Sequence, residues 1–221
     1  MDAEWHDTKR EKNTGEMSHP ADGEAWQDFD RMCPTFADDP RNLRLAIATD
    51  GFIPFSNFSS TYSMWPILVT SLNLPPWECV NPSTYSMWPA LVTPLNLPPG
   101  KDFDVFLEPL IEELKELWKG VDTFHVLHHD NKKGFTLHAV VLWCIHDFPA
   151  LSTLSGRTTK GYYTCIYCDK NPLSRRLRHK LGYLEHRRYL PRNHPWRKRL
   201  DFDGEIEDQD ALEKFTLEEV L

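Results

Sequence analysis

The sequence predicts an α/β protein in which a mixed β-sheet is flanked by helices. Three observations predict this class: two apolar runs that each end in an aspartate, a proline-rich region with strand-like composition, and an amphipathic helix that precedes the second run. The 221 residues correspond to about one domain. With 40% hydrophobic and 26% charged residues, the chain can bury a core and does not have the composition of a disordered tail.

Each predicted element follows from a local pattern. Arg44–Asp50 (RLAIATD) is a short apolar run before a glycine, which predicts a buried strand with a carboxylate at its carboxyl end. Asp102–Lys119 has apolar residues at helical spacing, and because Pro109 lies inside it we expect an ordered helix over 109–119 that starts near Glu108. Phe135–Asp147 is apolar throughout, so periodicity alone leaves both a buried strand and a buried helix open.

A near-exact internal repeat fills the proline-rich region. Ser60–Pro76 and Ser83–Pro99 are identical at 15 of 17 positions, at an offset of 23 residues. Two copies indicate a local duplication, because a solenoid needs about three or more units. We expect the first copy to form a strand and the second to form a poorer one, because Pro94 would interrupt a hydrogen-bonded ladder.

The order strand, strand, strand, helix, strand is the opening of a ribonuclease-H-like fold. In that fold one carboxylate lies on the first strand and another follows the fourth, so we expect Asp50 and Asp147 to be catalytic and to bind Mg²⁺ together. The alternative is that each aspartate only forms a turn or caps a helix.

Charge divides the chain into four segments. Residues 1–40 form an acidic N-terminal segment with a net charge of −7, and residues 41–156, which contain the repeat at 60–99, carry −4. Residues 157–200 are a basic Cys/His element with a net charge of +11, and residues 201–221 are an acidic tail with −8. The overall charge of −8 therefore hides a strongly basic segment between acidic ones.

The basic segment contains candidate zinc ligands. Cys165 and Cys168 have the CxxC spacing that brings two thiolates onto one metal ion, and His186 and His194 could complete a tetrahedral site. His179 is a competing ligand, and the alternative is a turn with two free thiols and surface histidines. Five cysteines do not indicate a disulfide scaffold.

The same segment predicts nucleic-acid contacts, because arginines clamp phosphates and the interleaved tyrosines and tryptophan can stack on bases. The alternative is a solvated cationic surface that pairs with the acidic tail. The predicted DNA-binding residues are Arg175, Arg176, Arg178, Arg187, Arg188, Arg197, Lys198 and Arg199. No run of apolar residues is long enough for a transmembrane helix, so no membrane partner is expected.

Long strings of this sequence are similar to those of one protein family. They are His19–Trp26 with Phe29-Asp30, Asp39–Leu45, Ala48–Phe55, Ser60–Trp77, Asp104–Trp118, Leu137–Ala150, Leu154–Gly156 with Thr159–Gly161, His186–Pro191, His194, Trp196-Arg197, Asp203-Gly204 and Glu218–Leu221. On these strings, which cover roughly residues 16–221, the chain resembles the transposases of plant CACTA (En/Spm-type) DNA transposons, members of the DDE/D class.

The resemblance implies a ribonuclease-H-like catalytic core that cuts transposon ends and joins them to target DNA with Mg²⁺ or Mn²⁺. It implies that Asp50 and Asp147 are the first and second acidic residues of the catalytic triad. It also implies a CxxC-plus-His element, here Cys165, Cys168 and His186, that could hold a structural Zn²⁺. Transposon-end and target DNA are the expected partners, a full-length transposase is a further one, and the expected location is nuclear.

Three departures from the family pattern qualify this expectation. The third acidic residue should lie well downstream, beyond the last residue of this chain, and the C-terminal part of the fold with it. The second repeat copy stands where the family has another central strand, so we expect the sheet to be damaged there. The upstream DNA-binding region also does not precede the core. We therefore expect a truncated transposase-like protein that is inactive alone; the alternatives are a non-catalytic DNA-binding remnant and a non-functional relic reading frame.

Overall fold

The chain forms two compact units, Met1–Ala150 and Leu151–Leu221. A computed structural model describes residues 3–12, 16–51, 62–79, 81, 86–94, 103–124, 134–156, 161–162, 174–183, 185–202 and 204–211. Among these residues, no helix has the length and apolar character needed to cross a membrane.

The chain contains both helices and strands, as expected for an α/β protein. The helices are α1 Trp5–Thr8, α2 Glu24–Met32, α3 Pro34–Ala37, α4 Pro76–Cys79, α5 Phe103–Lys119 and α6 Phe148–Leu154, with 3-10 helices at Pro20–Asp22, Glu185–Tyr189 and Pro195–Lys198. The strands are β1 Leu43–Thr49, β2 Tyr62–Ser71, β3 Ser86–Pro94, β4 Val121–Phe124, β5 Gly134–Leu137, β6 Ala139–His146, β7 Ser174–Arg176 and β8 Leu181–Tyr183.

The main sheet is mixed and has the strand order β3-β2-β1-β6. Strand β1 pairs antiparallel with β2 and parallel with β6, while β2 pairs antiparallel with β3. Strands β4 and β5 form a separate antiparallel pair, and so do β7 and β8. The prediction of a mixed sheet with flanking helices is therefore confirmed.

Strand β1 is the predicted buried strand, with neighbours on both sides. Its central residues are buried on both faces, which explains why the sequence reads as a continuous apolar run. Arg44 is the exception in that run: its guanidinium is buried, pairs with Asp30 at 2.5 Å and stands 4.6 Å from the ring of Trp26. The acidic N-terminal segment thus supplies the partner that makes a buried cation tolerable.

Buried polar bonds connect the N-terminal helices to the sheet. Asn73, fully buried after β2, accepts from the backbone N–H of Arg44 at 2.8 Å and donates its amide to the carbonyl of Asn42 at 2.9 Å. His19 contacts the carbonyl of Leu74 through Nε2 at 3.1 Å. These bonds satisfy backbone groups that would otherwise be buried without partners.

Both repeat copies form strands, and they pair with each other. The strand predicted for the first copy is confirmed as β2, and the second copy forms β3 at the end of the described sheet. Pro94 is the last residue of β3, where a missing N–H costs little. The register shifts between Trp65 and Ile67, which places both Pro66 and Pro89 at one interruption. The expected damage to the sheet is therefore not seen in the described strands.

Two other sequence predictions need adjustment. Helix α5 begins at Phe103, earlier than the start near Glu108 that Pro109 suggested. Phe103 and Leu110 are both buried, and this packing keeps the first turns helical although Pro109 removes one hydrogen bond. The ambiguous run Phe135–Asp147 is β-structure, divided at His138 into β5 and β6.

Candidate carboxylate site and basic element

The two candidate catalytic aspartates follow neighbouring parallel strands at the same end of the sheet. Thr49, the last residue of β1, is in register with His146, the last residue of β6. Asp50 and Asp147 are the next residues of their chains, and both are exposed. Because neighbouring strands lie about 4.8 Å apart, the topology places two exposed aspartates that are 97 residues apart in sequence directly after adjacent strand ends.

Asp147 is also a helix cap. Its Oδ1 accepts the backbone N–H of Ala150 at 2.8 Å, which satisfies one of the unpaired donors in the first turn of α6. The capping role that the sequence left open is therefore present. It does not exclude metal binding, because a carboxylate has a second oxygen that can bind a cation.

Gly51 and His146 lie next to the two aspartates and hold this end of the sheet in place. The sequence did not point to this role for either residue. A Cβ atom at Gly51 would stand 2.6 Å from Cζ2 of the buried Trp65, so only glycine leaves room for this indole directly after Asp50. The Nδ1 atom of His146 accepts the backbone N–H of Thr49 at 3.0 Å and ties the ends of β1 and β6 together. The available signals were the Asp-Gly pair and a histidine at the end of an apolar run.

The His146 imidazole is neutral in this setting. Burial lowers its pKa, and the backbone of Thr49 and the charge of Asp147 only partly oppose that effect. The Nδ1 atom lies 3.0 Å from the nitrogen and 3.4 Å from the carbonyl oxygen of Thr49, and Nε2 is buried without a hydrogen-bond partner in the part of the chain that the structure describes. The ring therefore braces the strand ends without adding charge.

The predicted zinc ligands are only partly described. Cys165 and Cys168 lie outside the described residues. His186 is exposed, and so is the competitor His179, in the turn between β7 and β8. His194 caps the last 3-10 helix by accepting the N–H of Trp196 on Nδ1 at 3.2 Å, so Nε2 is the atom left for a metal. Within the described residues no three His, Cys, Asp or Glu side chains form a metal-binding group.

Three of the predicted DNA-binding arginines are buried. Arg187, Arg188 and Arg197 are each 2% exposed, and their guanidiniums contact main-chain or side-chain oxygens of the protein. The expected phosphate contacts of these three side chains do not agree with this burial. Arg187 and Arg197 satisfy backbone carbonyl groups of this irregular segment, and Arg188 bonds the side chain of Gln209.

Arg197 makes the largest set of these contacts. It donates to the carbonyls of Arg188 at 2.8 Å, Leu190 at 2.9 Å and Glu207 at 3.2 Å, and also to that of Gln209. The backbone N–H of Glu207 returns a bond to the carbonyl of Arg197 at 2.7 Å. The beginning of the acidic tail is thus held against the basic segment.

Arginine–tail pairing also continues at the surface. Arg188 donates to the side chain of Gln209 at 2.9 Å, and Arg192 contacts the carbonyl of Asp208 at 2.7 Å and pairs with Asp210. The described side chains of 186–211 include six Lys/Arg and five Asp/Glu. Pairing of the basic segment with the acidic tail is therefore seen for two of its cations, Arg192 with Asp210 and Arg199 with Asp201.

The other predicted DNA-binding cations differ in their settings. Arg176, Arg178, Lys198 and Arg199 are exposed, and Arg199 pairs with Asp201 through Nε at 2.8 Å. Arg178 lies in the turn between β7 and β8, and Lys198 ends the last 3-10 helix. The side chain of Arg175 lies outside the described set.

Together these features define a mixed α/β protein with paired carboxylates at one sheet end and a second unit with exposed cations. The chain belongs to the transposase family tnp2, whose family model matches residues 14–221. Membership supports a transposase-like protein of transposable-element origin and suggests DNA binding. No curated protein and no solved structure gives a significant match.

Proposed function

We propose that this chain contributes the first two carboxylates of a DDE/D transposase of the plant CACTA (En/Spm) type. The observation that supports the proposal is the parallel register of Thr49 and His146, the residues that directly precede Asp50 and Asp147. The strand order β3-β2-β1-β6, with only β6 parallel to β1, supports a ribonuclease-H-like arrangement of this unit. The substrates would be transposon-end and target DNA.

The paired carboxylates suit Mg²⁺ or Mn²⁺. Both side chains are exposed, both offer hard oxygen donors, and one oxygen of Asp147 remains after helix capping. Bound divalent ions would activate the attacking oxygen and stabilise the leaving oxygen in phosphoryl transfer. The residues of this chain hold the two ligands at strand spacing, with Gly51 packed against Trp65 and His146 bonded to Thr49.

We propose that the chain does not cleave DNA by itself. In the part of the chain that the structure describes, no third acidic side chain joins Asp50 and Asp147 in a metal-binding group. A complete transposase that supplies the remaining ligand is therefore the partner in which this site would work.

Binding of Mn²⁺, followed by electron paramagnetic resonance, tests the carboxylate pair. Asp50→Asn should weaken Mn²⁺ binding at least about tenfold, because it removes one of two charged ligands. Asp38→Asn is the matched control, since Asp38 is exposed but lies after α3 and away from the pair. Equal affinity of the wild-type chain and the Asp50→Asn variant would refute the site, and robust Mg²⁺-dependent cleavage of transposon-end DNA would refute inactivity.

A second candidate function is DNA binding without cleavage. The exposed Arg176, Arg178, Lys198 and Arg199 favour it, because exposed cations release counterions when they meet phosphates. Charge reversal of Arg178 and Lys198 should weaken duplex binding and reduce its salt dependence. DNA binding that is unchanged between low and moderate salt would exclude this second function. A chain that binds neither metal nor DNA would fit the alternative of a non-functional relic reading frame.

Two further properties are proposed with the family. A structural Zn²⁺ would be held by Cys165, Cys168, His186 and Nε2 of His194; elemental analysis of the purified chain should give about one zinc per chain, lost in Cys168→Ser. A nuclear location would follow from DNA as substrate. The cluster 197–199 supports it less than its sequence suggests, since Arg197 is buried.

A further inference from the structure

The second unit exposes two large aromatic rings next to each other. Trp196 is 52% exposed and Phe202 is 42% exposed, with their ring centroids 6.3 Å apart and their planes tilted by 52°. Together with Lys198 and Arg199 we call these residues the aromatic patch. Exposed aromatic rings that lie next to each other are common at binding interfaces.

The backbone that carries the patch is held by two side chains, the buried Arg187 and the partly exposed His194. Arg187 donates to the carbonyl of Arg199 at 3.0 Å and to that of Trp196 at 3.5 Å, and its guanidinium stands 5.1 Å from the Phe202 ring. His194 accepts the backbone N–H of Trp196 at 3.2 Å. The patch is therefore preorganised, which lowers the entropic cost of binding.

Two exposed cations, Lys198 and Arg199, and one exposed carboxylate, Asp201, lie beside the rings in sequence. Lys198 is exposed two residues after Trp196, and the guanidinium of Arg199 stands 5.5 Å from the Phe202 ring. Arg199 pairs with Asp201, and both members of that pair are exposed. A solvent-exposed ion pair is weak, so a phosphate group can replace the Asp201 carboxylate.

We propose that the aromatic patch binds single-stranded DNA, an inference that rests on the proposed DNA-binding function. An unpaired base would stack on Trp196, beside Phe202, while Lys198 and Arg199 contact the adjacent phosphates. Flat rings flanked by cations are the combination that binds single strands without sequence preference. In an intact duplex the base faces are already stacked, so the patch favours unpaired strands.

Fluorescence anisotropy of the full chain with a labelled 20-nucleotide oligo(dT) tests this, with a duplex of the same length and a strand of abasic sites as comparison probes. Trp196→Ala should weaken oligo(dT) binding about tenfold, because one stacked base is lost. Binding to the duplex and to the abasic strand should change less than about twofold. Trp196→Phe, which keeps an aromatic face, should retain most of the affinity.

Trp77→Ala is the matched control, since Trp77 is 68% exposed but lies in the first unit, outside the patch. Equal weakening of oligo(dT), duplex and abasic binding by Trp196→Ala would overturn the stacking role while leaving DNA binding itself intact. Self-association of the chain that Trp196→Ala abolishes, with unchanged oligo(dT) affinity, would assign the patch to a protein partner and overturn the proposal. If the wild-type chain binds none of the probes, the proposed DNA-binding function fails as well.

Discussion

The Asp147 carboxylate caps α6 and is a candidate metal ligand, and the choice of replacement separates these roles. Asp147→Asn keeps an efficient cap, so the free energy of unfolding should change by less than about 0.5 kcal/mol while Mn²⁺ affinity falls at least about tenfold. Asp147→Ala removes both functions and should also cost about 1 kcal/mol of stability. Urea unfolding and Mn²⁺ titration check this, and unchanged Mn²⁺ affinity in the Asn variant would leave Asp147 with capping alone.

Gly51 is sterically confined by Trp65. In Gly51→Ala the new methyl group would meet the indole at 2.6 Å, so the ring or the strand end must shift. The variant should lose about 1–3 kcal/mol of stability. The smaller ring of Trp65→Phe relieves the contact, so the double variant should be more stable than the sum of the two single changes predicts. Additive effects in urea unfolding would show that the two residues are not coupled.

Some features of single residues could be predicted from the sequence and others could not. The Asp-Gly pair and the aspartate after the second apolar run could be found from sequence, because both follow strand-like runs. The close approach of Trp65 to Gly51 could not, because it depends on how β2 packs beside β1. The buried ion pair of Arg44 could not be predicted either, because only the folded chain places Asp30 against its guanidinium.

At the scale of elements, Arg197 joins the basic segment to the start of the acidic tail. Arg197→Lys keeps the charge but loses the planar group that reaches several carbonyls, including those of Arg188 and Glu207. We expect a loss of at least about 2 kcal/mol in the stability of the second unit. Hydrogen exchange should show faster exchange at the N–H of Glu207, and the exposed neighbour variant Lys198→Ala should have little effect. Unchanged protection in Arg197→Lys would show that this arginine is dispensable.

Elements differ in how well their sequence defines them. Strand β1 and the body of α5 follow from apolar patterns, and the structure confirms both. The earlier start of α5 depends on the burial of Phe103, and local helix propensity does not predict that burial. The run at 135–147 could not be assigned, because a buried helix and a buried strand have the same composition.

At the scale of the whole molecule, buried histidines make stability depend on pH. Burial lowers the pKa of His6 to about 4, helped by the nearby charge of Arg44. The unfolded chain therefore takes up a proton below about pH 6.5 while the folded chain stays neutral, so the free energy of unfolding should fall as the pH drops from 6.5 to 4. Burial also lowers the pKa of His19 and of His146, which adds to the same trend.

Urea unfolding followed by tryptophan fluorescence at pH 7 and pH 4.5 measures this trend. We expect a loss of about 2 kcal/mol, because solvent screens part of the effect of burial. His6→Gln cannot titrate, so its stability should vary less over this range. A wild-type stability that is constant or rises toward pH 4.5 would contradict the buried, neutral state of His6.

The burial of three arginines limits how strongly salt can affect DNA binding. With Arg176, Arg178, Lys198 and Arg199 as the exposed contacts, the logarithm of the duplex association constant should fall with the logarithm of salt concentration with a slope of about −4. All eight predicted cations together would give about −7. Anisotropy over a salt series distinguishes the two values, and the steeper slope would show that the buried arginines become available to DNA.

Net charge along the chain predicted a basic segment correctly but could not reveal what its arginines do. A guanidinium that binds phosphate and one that binds carbonyls have the same sequence signature. The distinction depends on the path of the chain at Glu205–Asp210, which brings backbone oxygens to Arg187 and Arg197. That path is a property of the tertiary structure, so it cannot be predicted from a count of charges.

The pairing of β2 with β3 has an evolutionary consequence. Met64 lies opposite Val92, and Leu68 lies opposite Met87, so the two copies run in opposite directions and pair with a one-residue shift in register between Trp65 and Ile67. A sequence compatible with its own antiparallel duplicate can extend a sheet as soon as it is copied, without any new residues being selected. Here the tandem duplication produced a second strand, β3, that pairs with the strand formed by the first copy, β2.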